Sequence, residues 1–147
     1  MRYSYSQQRL TLIERGKELG GTWAEFQTQA DNDKGAHGDI SLQQGCDGAA
    51  TIGSTCTEGK PCAPEKNVIG GFDWDPFNGA KQDMYWPKEN GRKLLDTTEG
   101  NWERKTANQA TIKHLQETVG QSNAYIVGGT GTRDIASENN CLSVVFY

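Results

Sequence analysis

The sequence predicts an α+β fold: one domain over residues 1–147, helical segments near the N-terminus, a later helix over about 106–119, and a small antiparallel β-sheet with disulfide-braced loops. Three observations lead there. Between Thr106 and Gly120 the apolar residues Ala107, Ala110, Ile112, Leu115 and Val119 recur at helical spacing. The run Cys141–Tyr147 alternates, so that Leu142, Val144 and Phe146 share one face of a strand. Only 34% of the residues are apolar, while 18 are glycine and four are cysteine. A core drawn from that composition is thin and needs reinforcement.

The N-terminal elements rest on weaker periodicity. Leu12, Leu19, Trp23 and Phe26 fall near helical spacing, and Gly20-Gly21 interrupts them. Thr22-Trp23-Ala24-Glu25 has the form of a capping box, in which the Thr22 hydroxyl takes an amide proton and Glu25 reaches back. Helices are therefore expected over about 6–19 and 22–30. A hairpin with strands at Leu10–Arg15 and Thr22–Thr28 is the rival, supported by the alternation at Leu10-Thr11-Leu12.

From Ala30 to Gly70 the chain is expected to be loop-like. Asp31-Asn32-Asp33-Lys34-Gly35 and Gly38-Asp39 are turn chemistry. Ile40-Ser41-Leu42 is a short candidate strand, and the Gly/Ser/Thr-rich stretch from Cys46 to Cys62 needs a crosslink to hold a shape. Beyond it, Asn90-Gly91 signals a hairpin flanked by Asp83–Trp86 and Arg92–Leu95. Thr106 is the expected N-cap of the later helix, and Gly120 sits where a left-handed C-terminal residue belongs. Asn123–Val127 and Cys141–Tyr147 complete the expected strands.

Cys46, Cys56, Cys62 and Cys141 are expected to form two disulfides, each worth roughly 2–4 kcal/mol. Four cysteines allow three pairings, and Cys141 is expected to tie the C-terminal segment to the middle of the chain. Free thiols are the next alternative. Zinc ranks last, because the spacings do not match the usual short knuckle. Disulfides place the protein outside the reducing cytosol: periplasmic, cell-surface or secreted. No apolar run suits a signal peptide or a membrane span, so either the targeting segment was removed or the chain is part of something larger.

The net charge of −4, without a basic stripe, gives no reason to expect nucleic acid or an anionic membrane as partner. The stretch Gly70–Trp86 concentrates rings and acids. Phe72, Trp74, Phe77, Tyr85 and Trp86 are candidate contact residues for a protein partner, or alternatively the filling of a core short of aliphatics. Asp73, Asp75, Asn78 and Asp83 supply oxygens at spacings that calcium loops use, although the bidentate Glu of an EF-hand is absent. Solvated turns are the commoner use of such residues, so no cofactor is expected and calcium stands only as a candidate ion. Asp31, Asp33 and Asp39 form a second, weaker acidic group.

His114 and Glu117 lie one helical turn apart and offer the sparsest of acid–base pairs, and Cys46 or Cys62 near His114 would make a thiol nucleophile. These readings rank three functions. A non-enzymatic extracytoplasmic binding module comes first. A small secreted or delivered hydrolase or nuclease toxin domain using His114 and Glu117, with Glu103, Arg104 or a free Cys as further candidates, is second, and a periplasmic protein that neutralises such a toxin is third.

Overall fold

Antiparallel pairing, not helix, organises the first half of the chain. The computed structural model describes residues 8–10, 13–14, 17–18, 20–27, 35–54, 68–71, 73–87, 93–101, 103–128, 134–137 and 142–147; of residues 8–10, 13–14, 17–18 and 68–69 it describes the backbone alone. Strands β1 (Gln8–Leu10), β4 (Trp23–Gln27), β5 (Ala36–Ser41) and β8 (Ile135–Ser137) form a four-stranded antiparallel sheet in the order β1-β4-β5-β8. Strands β6 (Ala50–Ser54), β7 (Val68–Gly71) and β9 (Leu142–Phe146) form a three-stranded antiparallel sheet with β6 in the centre. Two short strands, β2 (Ile13–Glu14) and β3 (Lys17–Glu18), pair with each other. Helix α1 (Gln109–Thr118) makes this a small mixed α+β domain. Among the described residues no helix is long and apolar enough to cross a membrane.

Where the expected helices over 6–19 and 22–30 fall on described residues they are corrected to strands, and the rival hairpin is nearer to what those residues form. Gln8, Arg9 and Leu10 pair in register with Phe26, Glu25 and Ala24. Thr22 caps no helix. Its hydroxyl donates to the Gly48 carbonyl at 2.8 Å, and its amide donates to Asp47 Oδ1 at 2.8 Å. A capping-box spacing is a local signal, and here a non-local partner takes the hydroxyl.

The expected loop from 30 to 70 is also corrected, because it contains two central strands. β5 pairs with β4 on one side and β8 on the other. Every residue of β6, Ala-Thr-Ile-Gly-Ser, is buried between β7 and β9. The two sheets approach where β5 carries Gly38: a Cβ there would lie 2.5 Å from Ile52 Cδ1. Between them lie Ala24, Ile40, Ala50, Ile52 and Ile135, and the same cluster continues through Leu42, Cys46 and Leu95 to Leu115 and Val119 of α1.

Cys46 is fully buried in that cluster and free. Its thiol donates to the Gly48 carbonyl at 3.7 Å, and burial above all pushes its pKa up to about 12. Two bridges would need all four cysteines, so the two-disulfide expectation is corrected. Cys56, Cys62 and Cys141 lie outside the described residues.

The helix begins later than expected. Asn108 is the N-cap, its side-chain oxygen accepting the Thr111 amide at 3.1 Å, while Thr106 stands exposed in the preceding loop. Gly120 does adopt positive φ (+88°), and its amide turns back to the Leu115 carbonyl at 3.1 Å. The predicted hairpin pairing is present at its base. Tyr85 bridges Leu95, and the Trp86 amide donates to the Leu94 carbonyl at 2.9 Å. Asn123–Val127 contributes one parallel bridge, Ser41 to Tyr125.

Irregular backbone between the hairpin and α1 is gathered by one carboxylate. Asp96 is wholly buried, and Arg104 grips it with Nη2 to Oδ2 at 2.7 Å and Nε to Oδ1 at 3.1 Å. The Thr97 amide donates to Oδ1 at 2.9 Å and Asn108 Nδ2 to Oδ2 at 3.2 Å. Hydrogen bonding to Asp96 is the first cause raising the Arg104 pKa above its ordinary value.

Removing one partner at a time distinguishes this carboxylate's role. Arg104→Ala strands a buried acid and should cost roughly 3–5 kcal/mol in urea unfolding. Asp96→Asn keeps the shape and leaves the half-exposed Arg104 free to reach water, so its cost should be smaller, roughly 1–3 kcal/mol. Equal costs would contradict the network.

Candidate functional site

The aromatic stretch forms a compact loop over residues 73–87. It turns twice: the Asn78 amide donates to the Asp75 carbonyl at 3.1 Å, and a single 3-10 turn spans Gln82–Met84. Gly79, with φ +76° and open space around it, is the tip. Phe77 stacks on Tyr85 with centroids 6.3 Å apart and planes 8° from parallel. The Lys93 ammonium lies 5.7 Å over the Phe77 ring. Trp74 folds back onto Gly71, where a Cβ would come within 2.1 Å of the indole nitrogen.

One side of the loop is clamped. His114 donates from Nε2 to the Pro76 carbonyl at 2.7 Å. Asn108 Nδ2 holds the Asp83 carbonyl at 2.8 Å. The Thr111 hydroxyl and the Asp96 amide both donate to the Met84 carbonyl, at 3.0 and 2.8 Å.

The predicted residues divide accordingly. Trp86 is buried and Phe72 lies outside the described residues. Trp74, Phe77 and Tyr85 are half-buried and pack against the main core. Asp73, Asp75, Asn78 and Asp83 are exposed. Asp75 spends Oδ1 on the Phe77 amide at 3.2 Å, a local turn bond. Among the described residues no three His, Cys, Asp or Glu side chains are gathered to hold a metal ion.

His114 and Glu117 do not work together. His114 is buried on the Pro76 carbonyl, whereas Glu117 is exposed, 4.0 Å from Lys113. Cys46 and His114 are each committed to a different carbonyl, the thiol to Gly48 and the imidazole to Pro76.

A second cluster, which sequence reasoning did not assemble, lies on the polar face of the four-stranded sheet. A cleft of about 120 Å³ is lined by Glu25, Gln27, His37, Asp39 and Asp134. Glu25 and Asp39 are direct cross-strand partners, as are Gln27 and His37, and the register also places Arg9 across from Glu25. Asp39 Oδ1 is buried without a hydrogen-bond partner among the described residues. Burial first, then Glu25 and Asp134, raise Asp39 to a pKa of about 7. Tyr125 donates its hydroxyl to Asp134 Oδ1 at 3.2 Å, and its own pKa is raised, mainly by burial. Of this group the sequence offered Asp39 as an acid, but grouped it with Asp31 and Asp33, which lie outside the described residues. The signal that finds it is the alternation in Ala36-His37-Gly38-Asp39-Ile40-Ser41, small or apolar at one parity and polar at the other.

No family model, curated protein or solved structure matches the chain.

Asp39 makes stability depend on pH with a definite sign. Its folded pKa of about 7 lies above the ordinary 3.8, so the folded state holds a proton that the unfolded chain releases. The stability Asp39 allows is full below pH 4 and falls as pH rises to about 7. Asp39→Asn should therefore raise the melting temperature at pH 8 by roughly 5 °C and leave it unchanged at pH 4, read by calorimetry. A gain of the same size at both pH values would refute this.

Proposed function

We propose that the protein is a non-enzymatic binding module that works outside the cytoplasm and meets a protein partner through the 73–86 loop. The observation that carries the reading is the clamping of this loop. Three of its carbonyls, on Pro76, Asp83 and Met84, are held by α1, its N-cap and Asp96. The backbone that carries its exposed acids and the half-buried Trp74, Phe77 and Tyr85 is thereby held before any partner arrives. A pre-ordered loop loses less entropy on binding, and aromatic rings are efficient anchors. The described thiol and the helix imidazole, which an enzyme would use as nucleophile and base, both serve the framework instead.

The extracytoplasmic assignment rests on composition and on the three remaining cysteines, two of which would bridge and brace the loops. A second reading, a small secreted hydrolase, is favoured by one observation. Asp39 offers a carboxyl protonated near neutral pH beside Glu25 and Asp134, the pairing that acid–base hydrolysis employs.

Two experiments test the reading. A photocrosslinking residue at the exposed Asn78 should capture a discrete partner from the protein's own extracellular milieu, and one at Gln116 on α1 should not. Equal capture from both positions would remove the loop from its assigned role. Mass spectrometry after alkylation of the native, unreduced protein should show Cys46 unlabelled and one disulfide among Cys56, Cys62 and Cys141. Three alkylated thiols there would end the extracytoplasmic argument.

A further inference from the structure

The ring of Phe77 already receives a cation. Lys93, exposed at the base of the hairpin, holds its ammonium 5.7 Å over that ring while Tyr85 stacks against it. The loop that holds the pair carries three exposed carboxylates, Asp73, Asp75 and Asp83, against one lysine, Lys81, and Asp75 accepts the Phe77 amide itself. The quadrupole of an aromatic face attracts cations, and surrounding carboxylates raise their local concentration. An exposed lysine in this position is displaceable, because its ammonium loses little by returning to water.

We propose that the 73–86 loop receives an arginine side chain from a basic segment of the protein partner, seated over Phe77 in the place the Lys93 ammonium occupies in the free protein. Arginine suits the position better than lysine. Its guanidinium is planar, stacks on a ring and still presents N–H groups at its edge to a carboxylate. The inference rests on the loop being the contact surface and adds the chemistry of what it contacts.

The probe is a fluorescent peptide carrying four consecutive arginines, compared with its citrulline counterpart, which keeps the shape and loses the charge. Anisotropy should show binding of the arginine peptide alone, weakening as salt rises. Lys93→Met should tighten binding by about two- to fivefold, since the resident competitor is gone. Lys113→Met, the same charge change on an exposed face of α1, should leave it unchanged. Phe77→Leu should weaken binding by about two- to fivefold, and the opposite signs of the Phe77 and Lys93 effects exclude misfolding as a common cause. Joint replacement of Asp73, Asp75 and Asp83 by Asn should weaken it further still.

Binding of both peptides alike, or equal tightening by Lys93→Met and Lys113→Met, would overturn the proposal by reducing it to overall charge. If Asn78 still crosslinks a partner in that event, only the cationic chemistry falls. If it does not, the contact loop falls too.

Discussion

Asp96 is the constraint on which the irregular half of the molecule depends. Three stretches of chain that are neither helix nor sheet meet at its carboxylate: Thr97 beside it, Arg104 from the following loop, and Asn108 from the start of α1. Its amide meanwhile holds the Met84 carbonyl of the aromatic loop. Buried ion pairs seldom add much net stability, because desolvation offsets the Coulomb gain. What this one contributes is geometry. Once Arg104 and Asn108 are fixed, Asn108 can cap α1 and hold the Asp83 carbonyl at the same time. Thr97 continues the chain of consequences by donating its hydroxyl to the Gln43 carbonyl, and Thr98 by donating to the Ile126 carbonyl.

The sheets are held by different means. Their central residues are small, and small residues let backbones approach. Gly38 against Ile52 is the clearest case, with no room for a side chain between the two layers. β6 buries Thr51 and Ser54 along with Ala50 and Ile52, so a chain poor in large apolar residues still fills its interior. The free, buried Cys46 belongs to the same economy, since it packs as a small apolar group within the cluster.

Those small residues also explain what was legible in the sequence. Helix α1 was visible because its stripe and its closing Gly120 are local features, and the hairpin base at Tyr85 and Leu95 because Asn90-Gly91 is a local signal. β9 announced itself through alternation of large residues. β5 and β6 did not, because strands written in Ala, Gly, Ser and Thr read as turns until their partners are known. Thr22 was misread for a related reason: its hydroxyl bonds across 26 residues to Gly48, and no window of a few residues contains that partner. Of the candidate surfaces, the aromatic loop was contiguous and therefore seen. The cleft needed Glu25, Asp39 and Asp134 to be brought together by strand register, which sequence spacing alone does not supply.

Asp96 and Asp39 show the same side chain handled in opposite ways. At Asp96 both oxygens are occupied and a guanidinium neutralises the charge, as a fold requires of a buried acid. At Asp39 one oxygen is buried without a partner among the described residues, and the residue directly across the ladder is Glu25, another acid. Like charges opposite each other weaken a sheet, and any uncharged residue of similar size would relieve the conflict. The sandwich core, on the other face of β5, has no use for the arrangement. Departures from local consistency of this kind gather where a protein meets something other than itself. On the polar face of the four-stranded sheet, Asp39 is therefore the side chain whose burial works against its own charge.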